Sequence, residues 1–198
     1  MPSFSLGCRA MNNKFAKIIR AITIPPLVVS FLALILWLTK FITLIDAIYV
    51  VCLLGLVCLL AYPLSFLFDK NVETRRKTMR KTSFIFTFVG YLIGFILSFV
   101  VEMSEVAVII FQSYFVSAFL LLITNVLKFK ASGHMTSITG PLVFFSYYLP
   151  HYYVIIPCLL MYAVVFWSSL TLKRHTWKEM AVATLIVLFS FFAIQLLH

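Results

Sequence analysis

The sequence predicts an all-α, polytopic transmembrane helix bundle of about seven spans, and three observations lead there. Hydrophobic residues fill 63% of the 198 positions and charged residues only 11%, against roughly 25% charged in a soluble domain. The uncharged runs between the charges have the length of membrane spans. The basic residues gather in alternate loops. This composition excludes a soluble globular domain. It also excludes disorder, which goes with few apolar residues. The net charge of +10 points to membrane topology and not to a nucleic-acid partner, because the charge-rich surface of a nucleic-acid binder is missing.

Residues 1–20 read as a cytoplasmic tail whose first ten positions carry no structural pattern, with Met11 as an alternative start. A single transmembrane domain then covers 21–198. The first span is 21–39, between Arg20 and Lys40; its long apolar run has no small-residue cleavage site after it, so it reads as a span and not as a signal peptide. The second is 41–68, interrupted only by Asp46; the third is 82–101 and the fourth 106–127. From 135 to 172 there are 38 residues without a formal charge. As one helix they would extend about 57 Å, nearly twice a hydrocarbon core of about 30 Å. The run therefore divides, and Pro150 and His151 are the natural break. The last span is 181–197.

The basic residues agree with seven spans. With the N-terminus inside, the inner segments 1–20, 69–81, 128–134 and 173–179 hold 15 of the 16 Lys and Arg, and only Lys40 falls outside. Six spans, with 135–172 counted once, are possible by apolarity but put 173–179 on the far side. The cysteines (Cys8, Cys52, Cys58, Cys158) show neither metal-ligand spacing nor a disulfide framework and read as apolar packing. Gly90 and Gly94 form one GxxxG, a pattern that lets helices approach closely. Tyr147, Tyr148, Tyr152 and Tyr153 read as an aromatic belt at the outer interface.

Polar residues cluster in two inner segments, 128–134 and 168–179. Ser132-Gly133-His134 stands at the start of a span, where unpaired backbone N–H groups and the helix dipole favour an anion. Gly133 permits close approach to the backbone, Ser132 can cap or donate, Lys130 adds a charge, and His134 can hold a proton near neutral pH. The same residues also describe an ordinary helix cap beside a wet histidine. His175 and Glu179 are four apart and share a helix face. A carboxylate there fixes the imidazole tautomer, as a nucleophilic histidine requires; a helix start with an exposed ion pair is the plainer alternative. A metal site on His134, His175 and Glu179 lacks zinc-type spacing, so no metal and no cofactor is expected.

Together the two segments resemble the type 2 phosphatidic acid phosphatase family of integral membrane phosphatases. Its second motif, P-S-G-H, corresponds to Ala131-Ser132-Gly133-His134. Its third, S-R-x5-H-x3-D, corresponds to Ser168-Ser169, five residues, His175, three residues and Glu179. The run Arg174-His175-Thr176-Trp177 is also similar to many members. The match extends over roughly 128–180, and the resemblance implies a phosphatase-like core within about 82–198.

The resemblance implies a lipid phosphate or polyprenyl diphosphate phosphatase that works without a metal through a phosphohistidine. His175, Glu179 and His134 would be catalytic. Lys130, Ser132, Gly133 and Ser168 would bind phosphate, with Lys70, Arg76 and Lys77 standing for the family's first motif, K-x6-R-P. Membrane lipids and the lipid phosphate would be the partners, met at the cytoplasmic face. The chain departs from the pattern twice. The family's phosphate-binding arginine is Ser169 here. The first motif is degenerate and lies two spans before the second, where the family has it one loop ahead; Lys130, Arg75, Arg76 and Arg80 are the candidates for its lost charge. A catalytically silent lipid-binding relative and a small transporter are the alternatives.

Overall fold

The computed structural model describes residues 3–68 and 72–198. The described residues hold no strand; they form α1 (Ser3–Ile22), α2 (Pro25–Leu38), α3 (Leu44–Val50), a π-helical stretch (Val51–Leu56), α4 (Val57–Phe68), α5 (Val72–Val100), α6 (Glu105–Val126), α7 (Gly133–Tyr148), α8 (Tyr152–Thr171) and α9 (Trp177–Gln195). The all-α class is therefore as the composition predicts, and the chain is a multi-pass membrane protein. Among the described residues fewer than the seven expected spans qualify: four helices are long and apolar enough to cross a bilayer, Lys81–Val100, Glu105–Val126, Tyr152–Thr171 and Trp177–Gln195. A fifth span arises if Asn12–Ile22 and Pro25–Leu38 count as one broken crossing.

The expected spans depart from single straight helices for local reasons. The 21–39 run is not one helix, because Pro25 and Pro26 end α1 and start α2, which has 14 residues. In 41–68 the chain turns helical only at Leu44, and α3, the π-helical stretch and α4 then follow one another without a break to Phe68. The 135–172 run divides at 149–151 as expected, but α7 has only 16 residues. That is about 24 Å of helix, less than the hydrocarbon thickness.

Where the first ten positions carry no pattern in the sequence, α1 begins at Ser3 and runs to Ile22. Along α1, Ala16 and Ile19 are buried, Phe15, Ile18 and Ile22 form an exposed apolar stripe, and Lys14 and Lys17 lie exposed beside it. An apolar stripe flanked by lysines is the pattern of a helix that lies along a bilayer surface.

The chain divides into two compact units, residues 1–28 with 120–189, and residues 29–119 with 190–198. In the first, α1 and α7 each pack on α8. Met135, Ile138, Phe144, Phe145, Val165, Met180 and Ala183 supply its core. Tyr162 Oη and Thr184 Oγ1, 2.8 Å apart, tie α8 to α9. At the far end of the α7–α8 hairpin, Tyr147, Tyr152 and Tyr153 are exposed and Tyr148 is half-buried.

The second unit explains two features of the sequence. Asp46, the lone acidic residue in an expected span, is buried. It completes a capping box with Thr43 at the start of α3, and its Oδ2 also accepts from Ser104 N–H at 3.3 Å. The charge serves the fold as a cap. The GxxxG glycines are both close approaches. A Cβ on Gly90 would meet the Leu53 carbonyl oxygen of the π-helical stretch, and one on Gly94 would meet the Phe111 ring. Gly to Ala in a helix normally gains up to about 1 kcal/mol. Gly90→Ala is expected to reverse that sign and lose about 1–3 kcal/mol, because a backbone carbonyl cannot rotate away as a side chain does. Unfolding by graded denaturant in detergent checks this.

Candidate active site

The site lies within the first unit and is made from the two loops singled out in the sequence plus the end of α1. The loop before α7 leaves α6 through a left-handed turn at Lys128 (φ 64°), with Phe129 N–H bonding back to Thr124 O at 2.9 Å. The loop after α8 repeats the device at Lys173 (φ 49°), where Arg174 N–H reaches Ser169 O at 3.1 Å. This type of C-cap turns the chain sharply. The second turn sets the distance from Ser169 to His175 and carries His175 to the start of α9. The loops meet directly: Ser132 N–H donates to the Glu179 carbonyl at 3.4 Å.

Glu179 has two tasks at once. Its Oε2 accepts from Thr176 N–H at 3.1 Å while Thr176 Oγ1 accepts from Glu179 N–H at 3.3 Å, a capping box that starts α9. The same Oε2 lies 3.0 Å from His175 Nδ1. With the carboxylate ionised, His175 holds its proton on Nδ1 and its lone pair on Nε2. Both side chains are about one-fifth exposed, 23% and 21%. The helix-start reading of this pair and the oriented-imidazole reading are thus both true of the geometry.

His134, in the first turn of α7 and outside the candidate spans, is held differently. Thr23 Oγ1 donates its one hydrogen to Ile19 O at 2.7 Å, so at 2.9 Å it must accept from His134 Nε2–H. His134 therefore carries its lone pair on Nδ1. Burial first, then the Arg20 charge and the His175 imidazole, push its pKa down to about 3. The expectation of a proton near neutral pH is corrected for the unliganded site: His134 is neutral there.

This depression sets a pH dependence. The ordinary value is 6.5 and the folded value about 3, so the unfolded chain takes the proton first. Stability resting on neutral His134 is complete above pH 6.5. It is lost progressively as pH falls toward 3, by at most about 1.4 kcal/mol per pH unit. The thermal midpoint is expected to fall between about pH 6.5 and 5, above the carboxylate range, and His134→Asn to flatten that slope.

The remaining sequence candidates separate. Ser132 is fully buried and is the N-cap of α7, its Oγ accepting from Met135 N–H at 3.4 Å. Gly133 is exposed, and a Cβ there would make only an ordinary 3.7 Å contact with Leu121 Cδ2. The fold does not need that glycine. Gly133→Ala is expected to keep the thermal midpoint within about a degree while weakening phosphate binding, if the anion sits on the backbone. Lys130 is exposed on the loop. Ser168 is fully buried and its hydroxyl donates to Val165 O of its own helix at 3.0 Å, so it serves α8. Lys70 lies outside the described residues. Arg76 and Lys77 fall within α5, with side chains outside the description. Among the described residues no three His, Cys, Asp or Glu side chains form a metal-binding group.

Two residues of the site escaped the sequence. Thr23 is one. The other is Arg20, in the last turn of α1, whose Nη1 donates to Ser169 Oγ at 2.9 Å. Helical spacing in 12–22 would have announced an amphipathic helix. No motif pairs a residue near the N-terminus with one 149 positions away. Compared with models of known protein families, with curated proteins and with solved structures, the chain matches none.

Proposed function

We propose that the protein is a membrane-embedded phosphatase that hydrolyses a lipid phosphate or a polyprenyl diphosphate through a phosphohistidine. The observation that carries the reading is the meeting of two distant loops through Ser132 N–H and the Glu179 carbonyl, where Glu179 fixes His175 with a lone pair on Nε2 and His134 stands two residues from Ser132. In the first half-reaction, His175 Nε2 forms an N–P bond as the bond from phosphorus to the leaving oxygen breaks, and that oxygen takes a proton from His134. In the second, water attacks phosphorus, gives its proton to His134, and the N–P bond breaks. Glu179 stabilises the positive imidazole between the steps. His134 is protonated only in the complex: a bound phosphate is an opposite charge that raises an imidazole's pKa, offsetting the burial that lowers it. Lys130 and the first-turn N–H groups of α7 hold the equatorial oxygens. In this reading the basic loops face the cytoplasm, as the positive-inside rule favours, and a headgroup reaches the site with its tail among the helices.

Phosphate release in detergent micelles tests the reading, with phosphatidic acid, phosphatidylglycerophosphate and a polyprenyl diphosphate offered side by side. Release from at least one is expected. No release from any, with the protein folded, sinks the enzyme. A second reading rests on the cap roles of Ser132 and Glu179: the same geometry serves an anion-binding protein that does not hydrolyse. It predicts phosphate binding without turnover.

A further inference from the structure

We infer that Arg20, contributed by the N-terminal helix, is the guanidinium that clamps the phosphate in this site, so that α1 is part of the phosphatase and not an appendage to it. The inference rests on the proposed phosphatase reading and adds a residue that neither motif contains. A phosphoryl group needs fixed positive charge on its oxygens, since charge stabilisation is most of what the protein supplies. Among the exposed cations of the two loops, Lys130, Lys173, Arg174 and Lys178 face solvent. Arg20 is half-buried, and its Nη1 is anchored 2.9 Å from Ser169 Oγ. A guanidinium can hold two phosphate oxygens in a planar, bidentate geometry, and an anchored one loses less entropy on doing so than a mobile lysine.

Three contacts aim it. Ser169, at the end of α8, is fully buried, and its carbonyl is held by Arg174 N–H in the turn that delivers His175. Thr23, less than one turn beyond Arg20, holds His134. Ala16 and Ile19 seat this stretch of α1 in the core. The end of α1 thus holds a cation on Ser169 and an imidazole on Thr23, in the same unit as the oriented His175. Ser169 also occupies the position where the resemblance expects arginine. The positive charge is therefore moved and not lost: the serine is the socket for an arginine from another helix.

The test compares wild type, Arg20→Ala, Ser169→Ala and the double variant Arg20→Ala/Ser169→Arg, all full-length in detergent. Phosphate release and thermal stabilisation by orthovanadate are read for each. Arg20→Ala is expected to lose about 10²–10³-fold in kcat/KM and to lose the vanadate shift. Ser169→Ala, which removes only the anchor, should lose less than tenfold. The double variant, with its arginine back at the other end of the same contact, should recover at least tenfold over Arg20→Ala. Full activity in Arg20→Ala overturns the inference and leaves the phosphatase reading intact. Equal losses in Arg20→Ala and Ser169→Ala without rescue also overturn it, since the pair is then only a structural tie. If wild type hydrolyses nothing, the phosphatase reading fails, and an Arg20-dependent vanadate shift still decides whether Arg20 binds the anion.

Discussion

His175→Ala is expected to abolish phosphate release, by on the order of 10⁴–10⁶-fold, the usual cost of removing a covalent nucleophile. The companion variant is the more informative one. Glu179 both caps α9 and holds His175 Nδ1, so a disruptive change at 179 would confuse folding with chemistry. Glutamine serves the N3 position of a capping box as well as glutamate does. Glu179→Gln should therefore keep the thermal midpoint while kcat falls about 10²–10⁴-fold, because the amide can no longer neutralise the positive imidazole or guarantee its tautomer. KM should change little, since in this reading Glu179 acts through His175 and not on the phosphate. Unchanged kcat in Glu179→Gln would mean that the His175–Glu179 pair belongs to the helix start alone. Full activity in His175→Ala would remove the nucleophile from the account.

The second large effect is conditional on the substrate. His134→Ala should slow hydrolysis of a lipid phosphomonoester about 10²–10⁴-fold, the range for loss of a general acid. With p-nitrophenyl phosphate the leaving group needs no proton, and the first half-reaction should be nearly spared. An equal slowing of the first half-reaction on both substrates, read as the burst of leaving group before turnover, would show that His134 acts through binding or through its bond to Thr23, not as the acid. Phosphate itself should also oppose the acid destabilisation of the protein, because binding raises the pKa that burial and Arg20 hold near 3.

Much of this was legible in the sequence because it is local. Helix class followed from composition. The break at 149–151, the His175–Glu179 pairing and the position of Ser132 at a helix start are matters of spacing within a few residues. What hydropathy could not give was helix continuity. Two prolines at 25 and 26 broke one expected span, and α7 has 16 residues, fewer than a full crossing of straight helix uses. Uncharged runs report which residues avoid water, and a buried helix avoids it as well as a crossing one does. The glycines of α5 were visible as a pair, but their partners, the Leu53 carbonyl and the Phe111 ring, were not. Arg20 and Thr23 were hidden for the same reason: their roles depend on α1 packing against α8, which no short-range pattern encodes.

Trapping the phosphoenzyme tests the central claim most directly. Folded protein in detergent would be mixed with a phosphate-labelled lipid substrate, quenched in alkali within one turnover, and mapped by fragmentation. The account predicts an acid-labile, alkali-stable phosphoryl group on His175 that is absent from His175→Ala. Turnover with no labelled intermediate, or label on a serine or an acidic side chain, would contradict it.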